Sequence, residues 1–69
     1  MKLAIVGATG MVGREILSIL EERNFPVSDL TLVASKKSYG KNISYLGKKI
    51  VIISLYDLLQ KEVDLALFS

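Results

Sequence analysis

The chain has 69 residues, a net charge of +2, 51% hydrophobic residues and neither Cys nor His. That excludes a disulfide framework and any chemistry built on a thiolate or an imidazole. The slight positive charge and 7% aromatic content argue against a nucleic-acid partner. No run approaches the roughly 20 apolar residues of a membrane span.

The sequence predicts one partial α/β domain over residues 1–69. Lys2 to Val6 is a short, nearly continuous apolar run ended by Gly7, the pattern of a strand buried on both faces of a parallel sheet. Lys2 and the uncharged stretch after it superficially resemble a signal peptide, but three glycines interrupt the stretch and no clear cleavage site precedes Arg14. A cytoplasmic protein is the expectation. From about Met11 the period becomes helical. Val12, Ile16, Ile19, Leu20 and Arg23 form one face, Leu17 lies on its boundary, and Pro26 is expected to stop the helix.

Leu30 to Ala34 reads as the second strand, completing a βαβ unit. Ser35 to Asn42 reads as a polar loop. Ile43 to Tyr45 and Lys49 to Ile53 read as a hairpin around Leu46-Gly47-Lys48. Ser54 to Lys61 reads as a short helix with Ser54 as N-cap and Leu55, Leu58 and Leu59 on one face. Val63 to Phe68 is a further strand. The expected fold is an incomplete Rossmann-type domain with a mainly parallel sheet and a small hairpin after strand 2. Tyr39, Tyr45 and Tyr56 are expected at core edges. Asp57, Glu62 and Asp64 show no metal-ligand grouping.

The chemistry lies in Gly7-Ala8-Thr9-Gly10-Met11-Val12-Gly13, between the first strand and the first helix. Gly7 permits a tight turn, Gly10 lets backbone approach phosphate, and Gly13 permits close packing of helix on sheet. N–H groups at the helix start favour an anion. Thr9, Gly10, Met11 and Val12 are expected to supply backbone contacts to a pyrophosphate, with the Thr9 hydroxyl in addition. The spacing G-x-x-G-x-x-G is weak alone, and its strand–turn–helix–strand setting gives it meaning.

An NAD site places an Asp or Glu about 20 residues past the glycines. Here Val33-Ala34-Ser35-Lys36-Lys37-Ser38 contains no acid, and the nearest, Asp29, is predicted at the wrong end of the strand. Hydroxyls and ammonium groups suit a 2′-phosphate, which a carboxylate would repel. NADP is therefore the expected cofactor, with Ser35, Lys37 and Ser38 at its 2′-phosphate.

Four segments together resemble the aspartate-semialdehyde dehydrogenase family. They are Ala4 to Glu15 with the glycine turn, Leu20-Glu21-Glu22-Arg23-Asn24-Phe25-Pro26-Val27, Ala34-Ser35-Lys36-Lys37-Ser38-Tyr39-Gly40-Lys41, and Val63 to Ser69. The third is similar to the family's Ala-Ser-x-x-Ser-x-Gly loop, which holds the 2′-phosphate. Lys37 stands where the family often has Arg, Tyr39 where a small residue is usual, and Ile50 to Tyr56 is more apolar than the family's acidic stretch.

The resemblance implies NADPH-dependent reduction of 4-phospho-L-aspartate to L-aspartate 4-semialdehyde in lysine, threonine and methionine biosynthesis. It also implies a Cys nucleophile, a His acid/base and substrate-gripping Arg residues, all beyond residue 69. The family's homo-oligomers form through a second domain that this stretch does not contain. A composition this apolar suits a piece whose surfaces other chain covers, so the chain is read as an amino-terminal fragment, inactive alone. The alternatives are a fragment of N-acetyl-gamma-glutamyl-phosphate reductase, a non-catalytic NADP-binding module, and a degenerate gene product that folds poorly.

Overall fold

The structure, a computed structural model, describes residues 1–69. Its elements in chain order are β1 (Lys2–Val6), α1 (Met11–Glu22), β2 (Asp29–Val33), β3 (Asn42–Tyr45), β4 (Lys48–Ile53), α2 (Leu55–Leu59) and β5 (Leu65–Phe68), with a 3₁₀ turn at Lys36–Ser38. The five strands form one sheet in the order β3-β4-β2-β1-β5. Strand β1 pairs parallel with β2 and β5, β2 pairs parallel with β4, and only β3 runs antiparallel, against β4. This is the expected architecture.

The continuous apolar runs arise because side chains alternate between two covered faces. Leu3, Ile5, Leu30, Leu32 and Ile52 form the larger core with Leu17 of α1, while Ala4 and Val33 pack with Leu58 of α2. The register Leu3↔Leu30 and Ile5↔Leu32 puts matching side chains on the same face of β1 and β2. Coverage is unequal: α2 buries only Leu58, and Leu55, Tyr56, Leu59 and Phe68 stay exposed. The expected shared face of Leu55, Leu58 and Leu59 is thus reduced to one buried residue.

The buried side of α1 differs from the expectation. Gly13 and Leu17 are buried, Ile16 and Leu20 pack beside them, and Val12 and Ile19 are exposed. The true stripe is therefore 13, 16, 17 and 20, with a glycine as its first member, so a count of large apolar residues mis-phases it.

The helix also ends before Pro26 can act. Asn24 adopts φ 51°, its N–H donates to the Glu21 carbonyl at 3.1 Å, and the Phe25 N–H donates to the Leu20 carbonyl at 3.0 Å. That is a Schellman closure with Asn in the left-handed position. Ser54 caps α2 as expected, its Oγ accepting from the Asp57 N–H at 3.0 Å.

The hairpin turn contains Leu46 and Gly47 alone, since Tyr45 pairs with Lys48. Their φ values of 50° and 79° define a type I′ turn. Of the three tyrosines only Tyr45 is buried; Tyr39 and Tyr56 are exposed, contrary to the expectation for them. Neither strand 2 nor strand 5 matches its expected bounds. Strand β2 runs from Asp29 to Val33, one residue earlier, and β5 begins only at Leu65. The Asp64 carboxylate accepts from the Lys2 N–H at 2.7 Å, taking the place of a backbone ladder partner.

Candidate functional site

The strand order creates a switch point at β1. From β1 the chain passes through α1 to β2 on one side, whereas β5 pairs with the opposite edge. In open α/β sheets the crevice beyond the carboxyl ends of such strands is where ligands bind. Gly7 at the end of β1 and Ser69 at the end of β5 stand at its mouth.

Gly7 has φ +89°, and a Cβ there would lie 2.5 Å from the Ser69 Oγ. At Gly13 a Cβ would overlap the Gly7 carbonyl oxygen and lie 2.8 Å from the Ala8 Cα. The helix start is therefore pressed directly on the turn. Gly10 is the N-cap of α1, no side chain caps the helix, and the first turn carries no acid. The first helical hydrogen bond runs from the Arg14 N–H to the Gly10 carbonyl at 3.0 Å, so Met11, Val12 and Gly13 have no intrahelical acceptor for their N–H groups. With no acidic side chain in that first turn, none there competes for the positive end. Gly10 differs from the expectation, because its own N–H turns inward to the Gly7 carbonyl at 3.2 Å. Around the turn Thr9 is half-buried, and the side chains of Met11 and Val12 are exposed.

The loop after β2 is tied to this turn by one atom. The Val33 carbonyl accepts from both the Gly7 N–H (2.8 Å) and the Ala8 N–H (3.1 Å). Ser35, Lys36 and Lys37 follow on the same rim of the sheet, exposed, with a 3₁₀ turn closed by the Ser38 N–H on the Ser35 carbonyl at 2.9 Å. Ser38 itself is buried. Asp29 lies at the opposite rim, in register with Lys2 and 3.6 Å from the Lys61 ammonium. No acid stands beside the loop in the sequence, and Asp29 is held away from it.

Two further residues border the turn. The Arg14 Nε donates to the Thr9 carbonyl at 3.2 Å, holding an exposed guanidinium over the turn. A cation in the first turn of a helix opposes the macrodipole, and that conflict is the signal by which sequence could have singled it out. The Ser69 Oγ donates to the Gly7 carbonyl at 2.9 Å, and its N–H donates to the Val6 carbonyl at 3.0 Å. No sequence pattern announces that contact, because it depends on β5 pairing with β1.

A cavity of about 250 Å³ opens elsewhere, between the start of β2 and the hairpin, lined by Val27, Leu30, Tyr45, Leu46 and Ile50 among others. It is remote from the glycine turn, whose crevice is an open sheet rim. No group of three or more acidic residues is placed to hold a metal ion. No helix is long and apolar enough to cross a membrane.

Comparison with known proteins shows what the chain as a whole is similar to. Residues 2–69 match the family described as "Semialdehyde dehydrogenase, NAD binding domain". The chain is 51% identical over 67 residues to an aspartate-semialdehyde dehydrogenase of Rickettsia bellii, covering 97% of this chain and 20% of that protein. It is 51% identical over 69 residues to the aspartate-semialdehyde dehydrogenase of Aquifex aeolicus, covering 99% and 20%. The crystal structure of aspartate semialdehyde dehydrogenase II from Vibrio cholerae, complexed with ASA, superposes with a TM-score of 0.91 at 43% identity, over 99% of this chain and 22% of that one. The chain thus spans about one fifth of the length of these relatives.

Proposed function

The chain belongs to the semialdehyde dehydrogenase NAD-binding-domain family, and from that membership we propose that it holds NADP(H) for the reductive step of an aspartate-semialdehyde dehydrogenase. The family supports a nicotinamide cofactor. The preference for the 2′-phosphorylated form rests on one observation. The Val33 carbonyl joins the glycine turn to a loop that carries Ser35, Lys36 and Lys37 and no acid.

In this reading the uncapped N–H groups of Met11, Val12 and Gly13 face the pyrophosphate, with Thr9 and Gly10 forming the wall of the turn. Ser35 and Lys37 hold the 2′-phosphate. Ser38, being buried, contributes through the 3₁₀ turn it closes. Lysine acts there as a mobile point charge rather than as a bidentate fork. The exposed Met11 and Val12 side chains shield the bound cofactor from water. The group supplies a hydride when bound.

The proposed substrate chemistry is the reduction of 4-phospho-L-aspartate to L-aspartate 4-semialdehyde, the aspartate semialdehyde being the part that the relatives' names carry. With neither Cys nor His, residues 1–69 provide no thiol nucleophile and no imidazole acid/base for it, and they serve as the cofactor part of the site. Homo-oligomer contacts belong to chain outside these residues, and the setting is cytoplasmic biosynthesis. The named relatives favour the aspartyl over the acetylglutamyl substrate.

Parallel fluorescence titrations with NADPH and NADH test the reading. NADPH is expected to bind about tenfold or more tightly than NADH, the effect of a charge-assisted phosphate contact. Equal affinity, or tighter NADH binding, would refute the assignment of the loop.

A further inference from the structure

We infer that Ser69 is a positioning residue for the cofactor, locking the Gly7–Ala8 peptide plane of the glycine turn through its hydroxyl. This rests on the NADP(H) reading above.

That peptide is fixed at both ends. On its carbonyl side the Gly7 oxygen accepts from the Gly10 N–H at 3.2 Å and from the Ser69 Oγ at 2.9 Å, the shorter of that hydroxyl's two contacts, the other being the Val6 carbonyl at 3.3 Å. On its amide side the Ala8 N–H donates to the Val33 carbonyl at 3.1 Å. Glycine at φ +89° has no side chain to bias its torsions, so a peptide beside it rotates easily unless its polar groups are held. Ser69 is the only holder that comes from another strand with a side chain. It is itself anchored, its N–H donating to the Val6 carbonyl at 3.0 Å in continuation of the β1–β5 pairing.

The direction of this plane sets where the following backbone points, and so where the free N–H groups of α1 meet a pyrophosphate. A donor of the wrong length, or none, leaves the turn in several orientations of which one binds, and affinity falls by the fraction competent. Ser69 touches no reacting atom in this scheme. It acts through Gly7.

The test uses the whole chain with Ser69→Ala and Ser69→Thr. Three quantities are measured: NADPH affinity, melting temperature, and amide hydrogen exchange of Ala8 and Gly10 in the free protein. With Ala, NADPH affinity is expected to fall about fivefold, the worth of one hydrogen bond. Exchange at Ala8 and Gly10 should rise several-fold while the melting temperature moves by no more than about 2 °C, since the bond is exposed. Thr restores both affinity and exchange. Unchanged affinity and exchange in the Ala variant would overturn the proposal, as would a Thr variant that behaves like Ala. If the unsubstituted chain binds neither NADPH nor NADH, the cofactor reading itself fails, and the Ser69 role falls with it.

Discussion

The Cα of Gly13 packs against the Gly7 carbonyl so closely that a methyl group on it would overlap that oxygen. Both the Gly7 oxygen and the Ala8 Cα are backbone atoms, which cannot swing aside as a long side chain would. Gly13→Ala must therefore push α1 off the sheet or distort the turn. A cost of about 2–3 kcal/mol is expected in urea unfolding, the upper part of the range for overpacking. NADPH affinity should fall in proportion to the fraction of chain left with an undistorted turn. A variant of wild-type stability and affinity would mean that helix and turn are not in contact.

Tyr45 is buried, yet its hydroxyl has no hydrogen-bond partner. Burial first, and then the Glu21 carboxylate, push its phenol above the ordinary 10.0. The folded chain keeps this proton where the unfolded chain releases it. The contribution is whole below about pH 10 and is lost as pH rises through the unfolded value toward the folded one. Tyr45→Phe removes the orphan hydroxyl and should stabilise the chain by about 1 kcal/mol at pH 7. It should also flatten the decline in stability above about pH 10. Denaturant midpoints at pH 7 and above pH 10 check both parts.

Thr31 presents the same fault in the middle of the sheet, with a buried Oγ1 that no group satisfies. It sits beside Ala4 in register, on the face that α2 covers. Thr31→Val keeps the shape and discards the unpaired oxygen, so a gain of about 1 kcal/mol is expected. A loss measured by thermal unfolding would show that the hydroxyl has a partner in solution.

Leu46 occupies a left-handed conformation that favours Asn or Gly, and its N–H donates to the Glu21 Oε2 at 2.7 Å. Leu46→Asn keeps that N–H and supplies the Asn-Gly pair preferred in type I′ turns. It should raise stability by about 1 kcal/mol, the cost of holding a branched residue at positive φ. Glu21→Ala should lose a comparable amount, because it removes a charge-assisted acceptor linking α1 to the hairpin. Paired denaturation curves of the two variants test this.

For the cofactor, Lys37→Ala should weaken NADPH about fivefold to tenfold and leave NADH nearly unchanged. Added salt should narrow the difference between the unsubstituted chain and the variant, since the contact is an exposed charge. Equal losses for both cofactors would place Lys37 at the pyrophosphate instead.

Much of this arrangement is legible in the sequence because it is local. The strand–glycine–helix succession, the hairpin and the Ser54 cap each depend on residues a few positions apart, and the mainly parallel sheet follows from chain order. What escapes local pattern depends on close backbone approach or on distant pairing. Gly13 opens the buried stripe of α1, which no hydrophobicity scale would suggest. Asn24 ends the helix before Pro26 because its side chain tolerates the left-handed region. Ser69 reaches Gly7 across 62 positions only because β5 lies beside β1.

The Val33 carbonyl, which accepts from both Gly7 and Ala8, works as the fixed end of a ruler. In the proposed reading one phosphate-facing segment lies on each side of it, so rigid main chain sets the distance between the two segments. A dinucleotide would then be tested for span as well as for charge. Altering the tip of β2 should change the affinity for NADP and the margin over NAD together, so engineers seeking to reverse the preference would do well to edit the loop and leave the strand end alone.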